Sequence, residues 1–199
     1  MPTTANKIKY GLKNVYYAVA TIADNGSATY GTPVAFPGAV SLSMDPQGEN
    51  AKFYADNIEY WVGNGNTGYE GDLEMARLTD AFKTDVLGMI KDSNDVIYED
   101  INAPIVHFAL LFQFEGDVKA TKHVMYNCTC TRASASGSTK EDKISPETET
   151  VTISASSIYV SALDKNIVKA EANEGTNSTT YNGWTSAVYI PTAANASTT

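Results

Sequence analysis

Three carboxylates at alternate positions, Glu70, Asp72 and Glu74, are the residues of this chain best placed to do chemistry. Successive side chains of a strand point to opposite faces of a sheet, so these three project from one face while Tyr69, Leu73 and Met75 project from the other. A row of carboxylates can chelate a divalent cation or repel an anion. Calcium is wrapped by the oxygens of a curled loop, which a flat strand does not offer. Like charges this close on one open face disfavour an isolated strand, so the row reads as a negative field that a partner or the medium must tolerate, facing an anion. An ordinary solvated sheet surface is the plain alternative.

The remaining reactive side chains are sparse. His107 and His123 fall on the two strands of an expected hairpin and could face one another, but a strand histidine is more often structural than a catalyst or metal ligand. Cys128 and Cys130 lie on one strand face about 7 Å apart, too far for an unstrained disulfide, and read as a pair of buried thiols rather than a metal site. Trp61 and Trp184 would stack on a sugar ring if exposed together, yet a buried core tryptophan is the commoner outcome. The chain has no phosphate-binding glycine loop, no dinucleotide fingerprint, no zinc-protease helix motif and no nucleophile elbow. The expectation is no enzyme, no cofactor and no metal.

The elements that must hold the acidic row are strands. Tyr69–Arg77 is one, and Val15–Ile22 another, closed by Asp24-Asn25-Gly26-Ser27. Ala39–Met44 alternates, with Val40, Leu42 and Met44 inward and Ser41 and Ser43 outward. Ile105–Glu115 and Lys122–Arg132 form a hairpin through Gly116-Asp117, the second placing Val124, Tyr126, Cys128 and Cys130 on one face. Thr148–Ser156 is a threonine-rich strand and Trp184–Ile190 a last one. One helix is expected over Asp80–Leu87, capped by Thr79 and stopped by Gly88. Residues 45–68 read as a long loop, with short strands possible at Lys52–Tyr54 and Glu59–Val62. Residues 134–146 and 173–182 read as polar loops.

The 199 residues, 43% of them hydrophobic, suffice for one domain over 1–199, with an N-terminal arm 1–9 and a disordered tail 191–199. A net charge of -9 argues against a protein that grips nucleic-acid phosphates. No apolar leader and no run of some 20 apolar residues occurs, so folding in a cytoplasm is expected.

An ordered set of segments resembles the major tail proteins, or tail tube proteins, of long-tailed non-contractile bacteriophages. It comprises Lys9-Tyr10-Gly11-Leu12-Lys13-Asn14-Val15-Tyr16-Tyr17-Ala18, Pro37-Gly38-Ala39-Val40-Ser41-Leu42, Phe53-Tyr54-Ala55-Asp56-Asn57 and Gly68-Tyr69-Glu70-Gly71-Asp72-Leu73-Glu74. It continues with Phe82-Lys83-Thr84-Asp85-Val86-Leu87-Gly88, Phe108-Ala109-Leu110-Leu111-Phe112, Glu115-Gly116-Asp117, Lys140-Glu141-Asp142-Lys143-Ile144 and Pro146-Glu147-Thr148-Glu149-Thr150. The likeness runs over residues 8–190. It implies a mainly β fold, a β-sandwich with one short flanking α-helix, and no catalysis. It also implies homohexameric rings stacked into a virion tail tube through which DNA passes without specific binding. Tape-measure, tail terminator and distal tail proteins would be the partners, and the host bacterial cytoplasm the place of synthesis.

Four strands from each of six subunits give about 24 strands; at about 4.8 Å spacing and roughly 40° tilt they close a circle about 48 Å across, with a bore of roughly 35 to 40 Å. Choosing Ala39–Met44, Tyr69–Arg77, Ile105–Glu115 and Lys122–Thr131 places Ser41, Ser43, Glu70, Asp72, Glu74, Gln113, Glu115, Asn127 and Thr129 toward the bore. Leu111 falls on the same face and does not suit it. In the long loop, Asp45, Gln47, Gly48, Glu49, Asn50 and Lys52 are expected to stack against the neighbouring ring. The competing reading is a β-sandwich on a virion or cell surface that binds carbohydrate or a receptor through its loops.

Overall fold

A computed structural model describes residues 10–135, 137–139 and 146–193. The expected N-terminal arm, the end of the tail and Lys140 to Ser145 lie outside the described residues. The described residues are mainly β, 48% strand and 7% helical.

β1 (Leu12–Ile22) opens the fold, and β2 (Ala28–Tyr30) and β3 (Val34–Ala35) return along it. β4 (Ala39–Gln47) then runs three residues further than its alternation suggested. The segment read as a long loop with possible short strands at Lys52–Tyr54 and Glu59–Val62 is a β-hairpin in which those strands are longer, β5 (Asn50–Ala55) against β6 (Ile58–Asn64). Its two-residue turn, Asp56-Asn57, has φ of 53° and 61°, the paired left-handed conformation that matches strand twist and that Asp and Asn tolerate. β7 (Gly68–Met75) follows, then α1 (Asp80–Asp85), β8 (Ile90–Lys91) and β9 (Ile97–Tyr98). β10 (His107–Phe114), β11 (Lys122–Cys130) and β12 (Glu149–Ser156) are the long central strands. The chain closes with β13 (Ile158–Val160), β14 (Lys165–Ile167), β15 (Lys169–Ala172) and α2 (Ser178–Gly183). α2 occupies the expected polar loop, started by Asn177, whose side chain accepts from the Thr179 and Thr180 N–H groups. No strand forms over 184–190.

The main sheet is antiparallel in the order β2-β1-β10-β11-β12-β7-β4, with β3 on β1 and β15 on β11. It curls until Cα atoms of β4 and β1 come within 8 Å. The interior of the curl holds the first core, Tyr17, Leu73, Met75, Phe108, Leu110, Val151 and Ile153 among others. α1 plugs one side. Thr79 accepts from the Phe82 N–H at 3.2 Å, and Gly88 at φ 69° ends the turn in the left-handed conformation that glycine adopts without strain. Phe82 is fully buried, stacked on Phe36 at 4.3 Å between ring centres and edge-on to Tyr17 and Phe108. Phe82→Ala is expected to cost about 3–5 kcal/mol. Chemical denaturation measures this, and a loss below about 1 kcal/mol would move the centre of the core elsewhere.

A second core covers the other face of the same strands. Ala18, Ala109, Leu111, Val124 and Tyr126 pack under Ile158, Val160, Ala172 and Trp184. β10 is therefore buried on both sides, as its nearly continuous apolar run requires, and Leu111 has its explanation. Bulges decide which residue meets which core. Phe108 pairs with Cys128 but Leu110 with Met125, so Tyr126 and Asn127 share one place opposite Ala109. The parity of β11 changes there. Val124 and Tyr126 enter the second core while Met125 and Cys128 enter the first, which corrects the expected common face of Val124, Tyr126, Cys128 and Cys130. A similar shift between Ala39 and Ser41 leaves Val40 exposed instead of inward.

Candidate functional site

The acidic row lies on the outer face of the curled sheet. β7 is central, β4 pairs with it on one side and β12 on the other. The register sets Ser41 and Thr150 beside Glu74, Ser43 and Thr152 beside Asp72, and Asp45 and Ser154 beside Glu70. Thr129 of β11 continues the last row next to Ser154. Beneath them Leu73, Met75, Val151, Ile153 and Ala155 fill the first core. No Lys or Arg occurs in β4, β7 or β12, so the face consists of carboxylates flanked by hydroxyls.

The hydroxyls hold the carboxylates. Ser41 Oγ donates to Glu74 Oε2 at 2.8 Å, Thr148 Oγ1 to Glu74 Oε1 at 2.7 Å, and Thr152 Oγ1 to Asp72 Oδ1 at 2.7 Å. The Thr148 bond, then the Ser41 bond, lowers the Glu74 pKa below the usual carboxylate range. Because the folded-state value is the lower one, this contribution to stability is present above the ordinary Glu pKa and is lost as pH falls through the folded value. Thr148→Val should raise the Glu74 titration midpoint, read from carboxyl NMR shifts. An unmoved midpoint would refute the hydroxyl as its cause.

Ser41, Ser43, Glu70, Asp72, Glu74 and Thr129 thus share one face, and the structure adds Asp45, Thr150, Thr152 and Ser154. The hydroxyl alternation of residues 148–156 was the signal that could have found the β12 residues; what was missing was that β12 sits between β7 and β11. Gln113 and Asn127 do not belong to this face. Gln113 is buried, accepting from Asn14 Nδ2 at 3.0 Å and donating to the Ala120 carbonyl at 3.1 Å, which ties the bulge of β1 to the β10–β11 turn. Asn127 is buried beside His107 Nδ1 at 2.7 Å and donates to Ser156 Oγ at 2.8 Å. Both stand where the second layer covers the sheet, so their polar groups are satisfied within the chain itself. Glu115 is exposed past the end of β10, beside Gly11, and belongs to none of β4, β7 and β12.

The residues assigned to ring stacking divide between elements. Asp45 and Gln47 are on β4, Gly48 and Glu49 connect, and Asn50 and Lys52 are on β5, where Lys52 Nζ meets Glu59 Oε2 at 2.7 Å. The hairpin they lead into exposes Phe53, Tyr54, Ile58, Tyr60, Trp61 and Val62. Trp61 is therefore solvent-facing and Trp184 is buried, so the two form no common platform.

The histidines stand apart. His123 stacks on Phe112 at 5.1 Å and lies 3.6 Å from Glu171, whereas His107 is at the other end of β10. Among the described residues no group of three or more His, Cys, Asp or Glu is arranged to hold a metal. Cys128 and Cys130 are free thiols pushed up to about 12 by burial, a state that disfavours the reactive thiolate. No helix among the described residues is long and apolar enough to cross a membrane.

A family model described as "Phage tail tube protein" matches residues 3–190. No curated protein matches the chain. Among solved structures, the chain is similar to the anti-feeding prophage tube-terminating cap, at 12% identity over 87% of this chain and 99% of that one, with a TM-score of 0.44. The sheath/tube terminator of the PVC extracellular contractile injection system, in its extended state, is 10% identical over 83% and 99%, with a TM-score of 0.44. A chain of the anti-feeding prophage baseplate is 10% identical over 88% and 99%, with a TM-score of 0.39. The family match, and not these distant likenesses, bears on function.

Proposed function

We propose that this chain, which belongs to the phage tail tube protein family, assembles into hexameric rings that stack as the tube through which DNA leaves the virion. Membership makes it a structural component of the virion tail. The observation that supports the conduit is the outer sheet face, where Asp45, Glu70, Asp72 and Glu74 stand among hydroxyls with no cation in β4, β7 or β12. Such a surface repels phosphate and offers DNA no site at which to stick.

The lumen sheet in this reading comprises β4, β7, β12 and the second half of β11. Four strands per subunit leave the bore of roughly 35 to 40 Å unchanged, wide enough for a duplex. β12 takes the place assigned to β10, which the second core removes from the wall. Tape-measure, tail terminator and distal tail proteins are the proposed assembly partners. Electron microscopy of the concentrated protein tests the proposal: six-fold rings and hollow tubes are expected, and dispersed monomers at all concentrations would overturn it in favour of a surface binding module.

A further inference from the structure

Glu74 does not bond to the residue that faces it across β12. The β7–β12 register sets Glu74 opposite Thr150 and Asp72 opposite Thr152. Asp72 accepts from its own partner, Thr152, at 2.7 Å. Glu74 instead reaches past Thr150 and accepts from Thr148 at 2.7 Å, toward the Met75 end of β7 and away from Asp72. Its second oxygen accepts from Ser41 of β4 at 2.8 Å. The two threonines that hold these carboxylates are four residues apart, about 13 Å along an extended chain, against about 7 Å between the Cα atoms of Asp72 and Glu74. The bonded oxygens are thereby kept roughly 8 Å apart.

That separation bears on divalent cations. Calcium binds oxygens at about 2.3–2.6 Å, so two carboxylates that share one ion bring their oxygens within about 5 Å of each other. Like charges two residues apart on one open face gain from such an ion, because it removes their mutual repulsion. A shared ion would also undo the surface. It cancels the negative field, and its remaining coordination positions take phosphate oxygens, so a wall that repels DNA becomes one that bridges to it.

We infer that Thr148, with Ser41 and Thr152, is a positioning residue that splays the acidic row, so that Glu74 and Asp72 do not share a divalent cation and their part of the face stays repulsive to DNA in its presence. The inference rests on the tube reading and gives the hydroxyls a task within it. A hydroxyl needed only to satisfy Glu74 is available at Thr150, directly opposite; the bond to Thr148 draws the carboxylate aside. Glu74 is held from both neighbouring strands and swings back toward Asp72 only by breaking two bonds. The same bonds keep Glu74 ionised below the usual carboxylate range, so the splay separates two charges and does not protonate one of them. Glu70 and Asp45, opposite one another on β7 and β4, take no part in these three bonds and serve as an internal reference.

The test titrates calcium chloride into the free subunit and follows carboxyl carbon NMR shifts in the parent, in the double variant Ser41→Ala, Thr148→Val, and in Thr148→Ser, which keeps the donor. All three should fold alike by circular dichroism, since Ser41 is exposed and Thr148 is half-buried outside both cores. In the parent and in Thr148→Ser, Glu74 should shift no more than the exposed Asp24. In the double variant, Glu74 and Asp72 should shift together at one calcium midpoint, several-fold lower than that of Asp24. Glu70 should respond equally in all three. Tubes of the double variant should then retain DNA as calcium is added, while parent tubes release it. A Glu74 that shifts together with Asp72 in the parent, or that stays unresponsive in the double variant, would overturn the splay. Coupled shifts without calcium-dependent retention by the variant's tubes would overturn the effect on DNA and put these carboxylates outside the bore, against the tube reading itself.

Discussion

Removing Asn50–Asn64 and joining Glu49 to Gly65 through a short glycine link should leave a folded subunit that forms no tubes. The base of the hairpin is already bridged, since the Gly65 N–H donates to the Glu49 carbonyl at 3.1 Å and the Thr67 N–H to the Gln47 carbonyl at 2.9 Å. Below that bridge the β4–β7 ladder runs from Gln47↔Gly68 to Ala39↔Met75 without help from the hairpin. Neither core contains a hairpin residue. Global stability should therefore change by about 1 kcal/mol or less, because a surface segment without core contacts contributes little to it. Assembly, in contrast, should fall below detection. Thermal unfolding and electron microscopy read the two effects separately. Tubes of normal length and stability from the excised subunit would show the hairpin to be idle.

Reversing the acidic row, Glu70→Lys, Asp72→Lys and Glu74→Lys together, should preserve folding and tubes but retain DNA within them. Each residue sits on the outer face, so the first core beneath β7 is untouched, and the hydroxyls of Ser41, Thr148 and Thr152 lose an acceptor where water can replace it. In a six-fold ring the charge changes by about 36 units, which converts phosphate repulsion into counterion-releasing attraction. Ejection should slow most at low salt and recover as salt rises. Equal ejection at low salt would remove these carboxylates from the lumen. So would a structure of the tube showing them on its outer wall.

Much of this was legible in local sequence. The alternation of 69–75 states which side of β7 is apolar, since a two-residue period leaves no freedom once one face is buried. Thr79, Asp80 and Gly88 mark α1 because capping and a left-handed stop are properties of a few adjacent residues. The hairpin at Asp56-Asn57 was legible only in part, as possible short strands at Lys52–Tyr54 and Glu59–Val62, for the opposite reason. Its strands carry aromatic residues that no core claims, so polar flanks such as Gly63-Asn64-Gly65-Asn66 read as a loop. α2 was hidden as well, its six residues Ser-Thr-Thr-Tyr-Asn-Gly lacking an apolar stripe of helical period.

The sequence by itself determined that one strand face is acidic, that a hydroxyl-rich strand exists over 148–156, and that the balance of charge is negative. It also carried an ordered set of segments pointing to tail tube proteins. Only the tertiary structure decided which strands are neighbours. The pairing of β12 with β7 joins residues as distant as Tyr69 and Ala155, and no local pattern encodes such a choice. Only the fold decided what covers each face, so Leu111 and Gln113 are interior although alternation left them on a face assigned to the bore. Bulges settled the rest: one extra residue at Tyr126-Asn127 reverses the facing of everything beyond it, and that residue is placed by the strands on either side.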